Sequence, residues 1–153
     1  MTKEEVFAEM MDKIYTFSIL STKYQNIPRV YGSGPALYMA EAHLLQHIGD
    51  HPGGITVTEL SKISGKSKSA ISQMISKLIA KGMVLKGKTA DNRKNVIVTL
   101  TEQGTSVYQY HTWLDQRNYN NYQEKASEFT TFDMKKTSAL FDILIAEFKK
   151  ELL

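Results

Sequence analysis

Residues 56–101 read TVTELSKISGKSKSAISQMISKLIAKGMVLKGKTADNRKNVIVTLT, and their punctuation sets the local structure. The opening Thr56-Val-Thr-Glu59 fits a capping box, in which a hydroxyl and a carboxylate three residues apart satisfy the open N–H groups of a helix start. Gly65 suits the position just past a helix end, where a left-handed residue is wanted, so a first helix is expected over 57–64. Ser67 then serves as N-cap of a second helix over 68–81. In it Ile71, Ile75 and Leu78 recur at helical spacing, flanked by Met74 and Ile79, and are expected to face the core. Two strand-like runs, 83–88 and 96–100, enclose a basic tip at 88–95. Helix, turn, helix and charged hairpin, in that order, make a winged helix.

The opposite face of the second helix carries Lys68, Ser69, Ser72, Gln73, Ser76 and Lys77. No acid stands between Gly65 and Asp91, although acids ordinarily favour a helix's first turn. A helix start with hydroxyls and lysines and no carboxylate suits an approaching phosphate. Segment 56–101 holds nine Lys/Arg against two acids, a net charge of +7, while the rest carries ten basic and fourteen acidic residues, net −4. The overall +3 therefore conceals a polarised molecule. A basic face on a helix-turn-helix is the electrostatic footprint of DNA binding. Charge alone would favour a solvated surface helix; charge together with the two caps and the hairpin does not. The candidate DNA contacts are Ser67, Lys68, Ser69, Ser72, Gln73, Ser76 and Lys77 on the helix, with Lys88, Asp91, Arg93 and Lys94 in the wing. Gln73 is the best adenine reader, because its amide can pair with N6 and N7. The serines are equally suited to phosphate, which positions a helix without reading bases.

At 153 residues and 42% hydrophobic, the chain is long enough for one domain's core and short for two. Zero cysteines exclude disulfides, thiolate metal sites and thiol-based redox sensing. No basic-then-apolar leader and no membrane-length apolar run are present, so a cytoplasmic location with no membrane partner is expected.

Around that segment the chain reads as helices. Over 3–25, Val6, Met10, Ile14, Phe17, Ser21 and Tyr24 recur at three to four. Residues 26–35, with two prolines and two glycines, read as loop, and a helix is expected over 36–50. Ile55 can add a short strand to the wing sheet. Thr101 can cap a long helix over 102–126, and Thr130-Thr-Phe-Asp133 opens a last helix reaching 152. The expected fold class is mainly α with a small antiparallel β-wing (α+β), a single domain over 1–153. Its winged helix occupies 36–101, and 1–30 with 102–153 form a helical dimerisation part. Three amphipathic helices outside the DNA-binding part are more than a monomer of this size can easily hide, so a two-fold homodimer is expected. Two recognition helices then meet successive major grooves of double-stranded DNA about 34–36 Å apart, on a pseudo-palindromic operator.

The run Leu60-Ser-Lys-Ile…Ser67…Ile71-Ser…Leu78…Lys81-Gly82-Met-Val, then Asp91-Asn-Arg93…Val98-Thr-Leu100-Thr101-Glu-Gln-Gly104, resembles the multiple-antibiotic-resistance regulator (MarR) family. The Asp-x-Arg wing motif and the following Leu-Thr-x-x-Gly carry most of the likeness, and flanking helices of matching number and length extend it over most of the chain. The resemblance implies a homodimeric winged helix-turn-helix transcription regulator, usually a repressor relieved by a small ligand, a metal or an oxidant. It places Arg93 in the minor groove, where a narrow A·T tract attracts a guanidinium. Asp91 would orient Arg93, since a carboxylate near phosphate is repelled.

The effector is read from the histidines. His43 and His47 are one helical turn apart, as are His111 and Asp115. Compared with the zinc-sensing branch of the family, His43 and His111 fall on ligand histidines and Asp115 falls where that branch has a third. Gln25 is nearest the fourth ligand's place, where no acid stands. The metal candidates are thus His43, His111 and Asp115. The other reading is a small aromatic ligand in an interhelical cleft, lined by Tyr15, Tyr38, His43, Tyr108 and His111. A hydrolytic enzyme built on His111 and Asp115 lacks a nucleophile elbow, a phosphate loop or an HExxH run, so no enzyme is expected. A ligand-independent DNA-binding protein shares the fold and would differ in showing no effector response.

Overall fold

The computed structural model describes residues 1–88 and 96–152. The wing-tip candidates Asp91, Arg93 and Lys94 lie outside the described residues. The chain divides into two compact units, Met1–Trp113 and Leu114–Leu153.

The helix-turn-helix forms where its caps place it. Helix α3 (Val57–Ser64) opens with Thr56 Oγ1 accepting the Glu59 N–H at 3.2 Å, while the Glu59 carboxylate accepts the Thr56 N–H at 2.8 Å. It closes on Gly65 at φ 66°, a left-handed conformation that a side chain would strain. Helix α4 (Lys68–Ala80) starts on Ser67, whose hydroxyl accepts the Ala70 N–H at 3.2 Å. Lys81 is its C-cap and not its last turn. Ile71, Ile75 and Leu78 are fully buried; Met74 is half-buried and Ile79 exposed. Complete burial of each such side chain stabilises by roughly 1.5–3 kcal/mol, which holds α4 by one face and leaves the other to solvent.

The wing sheet has the order β3-β5-β4, from β3 (Ile55–Thr56), β4 (Val84–Lys88) and β5 (Val96–Leu100), all antiparallel. Val98 pairs with Ile55 on one side and Lys86 on the other.

Two expectations need correction. Residues 26–35 are not all loop, and the next helix does not begin at 36. Strand β1 (Arg29–Val30) pairs with β2 (Ala36–Leu37), and helix α2 (Met39–Gly49) follows. Leu37 is fully buried, which holds β2 on the core, and Glu41 accepts the Tyr38 N–H at 2.9 Å, which starts the helix at 39. Gly34 in the intervening turn lies against Val107, so close that a Cβ there would run into it.

Helix α1 (Lys3–Gln25) has the expected bounds and buries no residue. Helix α5 (Glu102–Lys125) begins beside Thr101, whose hydroxyl accepts the Gly104 N–H at 2.9 Å. Helix α6 (Thr131–Glu151) opens on the Thr130–Asp133 capping box and buries no residue either. Among the described residues, no helix is long and apolar enough to cross a membrane.

Candidate nucleic-acid interface and adjoining cleft

The geometry of α4 sorts its candidates. Lys68, Ser69, Gln73, Ser76 and Lys77 are exposed and Ser72 is half-buried, opposite the buried isoleucines. Ser67 is exposed but spends its hydroxyl on the cap. Ser76 donates its hydroxyl to Ser72 O at 3.0 Å, a bond back to its own helix that leaves an oxygen lone pair, not the proton, for an outside donor. The first turn of α4 has no acid, so the positive end of the helix dipole is uncompensated. Lys88, at the end of β4, is exposed.

Of the nine basic residues in 56–101, Lys62, Lys66, Lys68, Lys77, Lys86 and Lys88 are exposed. Lys81 is different. Its Nζ donates to the Glu41 carboxylate at 2.7 Å and to the Ala36 carbonyl at 3.0 Å. By charge Lys81 is one of the nine basic residues of the segment, and no sequence signal marks a partner 40 residues away.

Behind α4 lies a cleft of about 290 Å³. Leu44, Ile71 and Met74 supply apolar walls, and His43, His47, Lys66 and Gln25 supply polar ones. Occupancy there would press on α4 directly. Of the five expected ligand residues, His43 alone lines it. His111 is buried beside it, its ring 5.8 Å from that of His43 and edge-on, and 4.9 Å from Tyr31. Tyr31 was not foreseen; a tyrosine in a loop with two glycines carries no periodic signal. Tyr108 donates its hydroxyl to Asp50 at 2.8 Å, and that bond to a carboxylate raises its pKa above the ordinary value. Tyr38 precedes α2 with its ring 6.0 Å from Lys81 Nζ, and Tyr15 is exposed on α1.

The metal reading meets a test here. His43 and His111 are brought together, but among the described residues no group of three His, Asp or Glu is placed to hold a metal ion. Asp115 belongs to the second unit. Two imidazoles are half of a tetrahedral shell, so the described residues do not by themselves fit a zinc ion.

Residues 37–94 match the MarR family. The uncharacterised HTH-type transcriptional regulator YhjH of Bacillus subtilis (strain 168) is 25% identical over 130 residues, 85% of this chain and 74% of that protein. The zinc-responsive MarR family member ZitR of Lactococcus lactis superposes with a TM-score of 0.74 at 18% identity, over 94% of this chain and 99% of its own. In complex with DNA, wild-type ZitR superposes at 0.72 with 19% identity, over 97% and 99%. The zinc-dependent MarR family transcriptional regulator AdcR in its Zn(II)-bound state gives 0.69 at 21% identity, over 97% and 99%. At these identities the structural likeness establishes the fold.

Proposed function

We propose that this chain, whose residues 37–94 match the MarR family, is a transcriptional regulator that works in the cytoplasm as a homodimeric repressor on a pseudo-palindromic operator, released by a small effector. The observation that carries the DNA reading is α4 itself. Its one face is buried to completion, and its other presents Lys68, Ser69, Gln73 and Lys77 beside an acid-free helix start. In this reading Gln73 pairs with an adenine edge, the lysines and Ser69 meet phosphates, and Lys88 and Lys94 extend those contacts along the wing. Arg93 enters the minor groove with Asp91 orienting it.

The homodimer is supported by α1 and α6, which bury no residue and expose Phe17, Leu20, Phe141, Ile145 and Phe148. Apolar faces of that extent are ordinarily covered. The effector reading rests on the cleft behind α4. A small aromatic molecule held there, in contact with Ile71 and Met74, would favour a lobe spacing that no longer matches the grooves, provided it binds the two states differently. Catalysis has no part in this reading.

Selection of bound duplexes from a random pool, at two salt concentrations, tests it. A palindromic consensus with steeply salt-dependent affinity is expected, the slope counting phosphate contacts. A pool that yields no consensus overturns the proposal.

A metal-responsive regulator of the same fold is the second reading, favoured by the His43–His111 approach. It requires donors beyond that pair. Zinc added to EDTA-treated protein, followed by titration with the selected duplex, separates the two: a zinc-dependent change in affinity selects the metal, and its absence retires it.

A further inference from the structure

Lys81 belongs by charge to the basic segment and by contact to the interior. It caps α4, and its ammonium bridges to the Glu41 carboxylate at 2.7 Å and to Ala36 O at 3.0 Å. The Glu41 side chain is only 6% exposed, against 28% for that of Lys81. The same Glu41 oxygen accepts the Tyr38 N–H at 2.9 Å, so one atom closes the start of α2 and the end of α4 together. Two of the three ammonium protons are thereby committed inside the protein.

The turn that follows is held from its other side. The Thr101 hydroxyl lies 2.7 Å from Gly82 O as donor and accepts the Gly104 N–H at 2.9 Å. Gly104 packs on the Met83 carbonyl so tightly that a Cβ would run into it. The segment from Lys81 to Met83 is thus gripped between the start of α2 and the start of α5. At 1.5 Å per residue, Lys68 lies about 20 Å along α4 from this grip, so a tilt of about 10° there moves the first turn by about 3 Å. A base contact does not survive that displacement.

We propose that Lys81 and Glu41 are positioning residues for operator recognition: their ion pair, half-buried at Lys81 and buried at Glu41, sets the angle of α4, and Lys81 itself touches no DNA. This rests on reading α4 as the recognition helix. Removing one partner also leaves a buried charge uncompensated, so the pair must be broken with stability monitored.

The test uses full-length Lys81→Met, Lys81→Arg and Glu41→Gln, with the duplex selected by the wild type and a mixed-sequence duplex as probes. Binding is measured by anisotropy over a range of salt, below each variant's melting temperature. Lys81→Met and Glu41→Gln are expected to weaken binding to the selected duplex about tenfold or more, the loss one disrupted base contact brings. Affinity for the mixed-sequence duplex stays within about twofold and the salt slope is unchanged, since no phosphate contact is lost. Lys81→Arg, which keeps the charge, recovers part of the selectivity. Should Lys81→Met fail to fold, Glu41→Gln reads the same quantity, because it removes the negative charge that holds the Lys81 ammonium while its amide oxygen still accepts the Tyr38 N–H. A salt slope reduced by about one, with equal losses on both duplexes, would make Lys81 a phosphate contact and overturn the proposal. So would a lowered melting temperature with unchanged affinity. If the wild type selects no duplex, the regulator reading falls and the clamp with it; if it selects one that the variants bind equally well, the clamp falls alone.

Discussion

Gly104 shows how a single position can be dictated by its neighbour across the fold. It sits where the start of α5 passes the carbonyl of Met83, with no room for a Cβ. Gly104→Ala is expected to destabilise the protein by about 1–3 kcal/mol, the usual cost of overpacking. A urea melt reads this as a lower midpoint with an unchanged slope; an alanine variant as stable as the wild type would mean that α5 can shift away freely. The residue was visible in the sequence as part of a motif, but its reason was not, because Met83 and Gly104 are adjacent only after folding. Tyr108 makes the converse point. Its spacing reads as an aromatic stripe, yet its ring fills the space over Gly49 and its hydroxyl bonds Asp50. Those contacts with α2 show only in the fold.

Among the elements, the helix starts are the most legible and the most pH-sensitive. The Thr56 hydroxyl, donating to the Glu59 carboxylate, holds that carboxyl below its ordinary 4.5, and Thr130 does the same to Asp133 below 3.8. A carboxylate whose pKa is lowered on folding stabilises the folded state above its unfolded pKa, and that contribution is lost as pH falls through the lowered, folded value. Thr56→Ala should therefore lower the melting temperature at pH 7, and the gap from wild type should narrow as pH falls below the ordinary 4.5 and through the lowered, folded value. An equal gap across that fall in pH would show that Glu59 takes no part in the cap. Short strands were the illegible elements. Strands β1 and β2 are two residues each, too short for an alternating pattern, and Pro28, Gly32, Gly34 and Pro35 read as loop. Pairing between Arg29–Val30 and Ala36–Leu37 is settled by the burial of Leu37, which composition does not reveal.

At the scale of the whole molecule, two long helices stay apolar and uncovered. Phe141 and Phe148 on α6 are 42% and 65% exposed, and α1 leaves Phe17 and Leu20 open. In the proposed homodimer these faces close against a second copy. Phe148→Asp should then shift the sedimentation mass toward a single chain and weaken binding to the selected duplex, because one subunit reaches one half-site. A variant that sediments like the wild type would place α6 outside the interface. The effector cleft belongs to this scale too. His43 and His47 were legible as one helical face, but Lys66 and Met74 join them from α3's turn and from α4, a convergence only the packing of three helices creates.

What the amino-acid order determined by itself was local: caps, turns, the buried stripe of α4 and the sign of its exposed face follow from interactions within a few residues. What tertiary structure alone decided was partnership over long separations. It turned Lys81 from one more basic residue into a half-buried clamp on Glu41, set His43 beside His111, and left Tyr108 bonded to Asp50. The reason is physical. A hydrogen bond or an ion pair has a reach of about 3–4 Å, and which side chains come that close depends on how helices pack, a property that periodicity and charge along the chain do not carry.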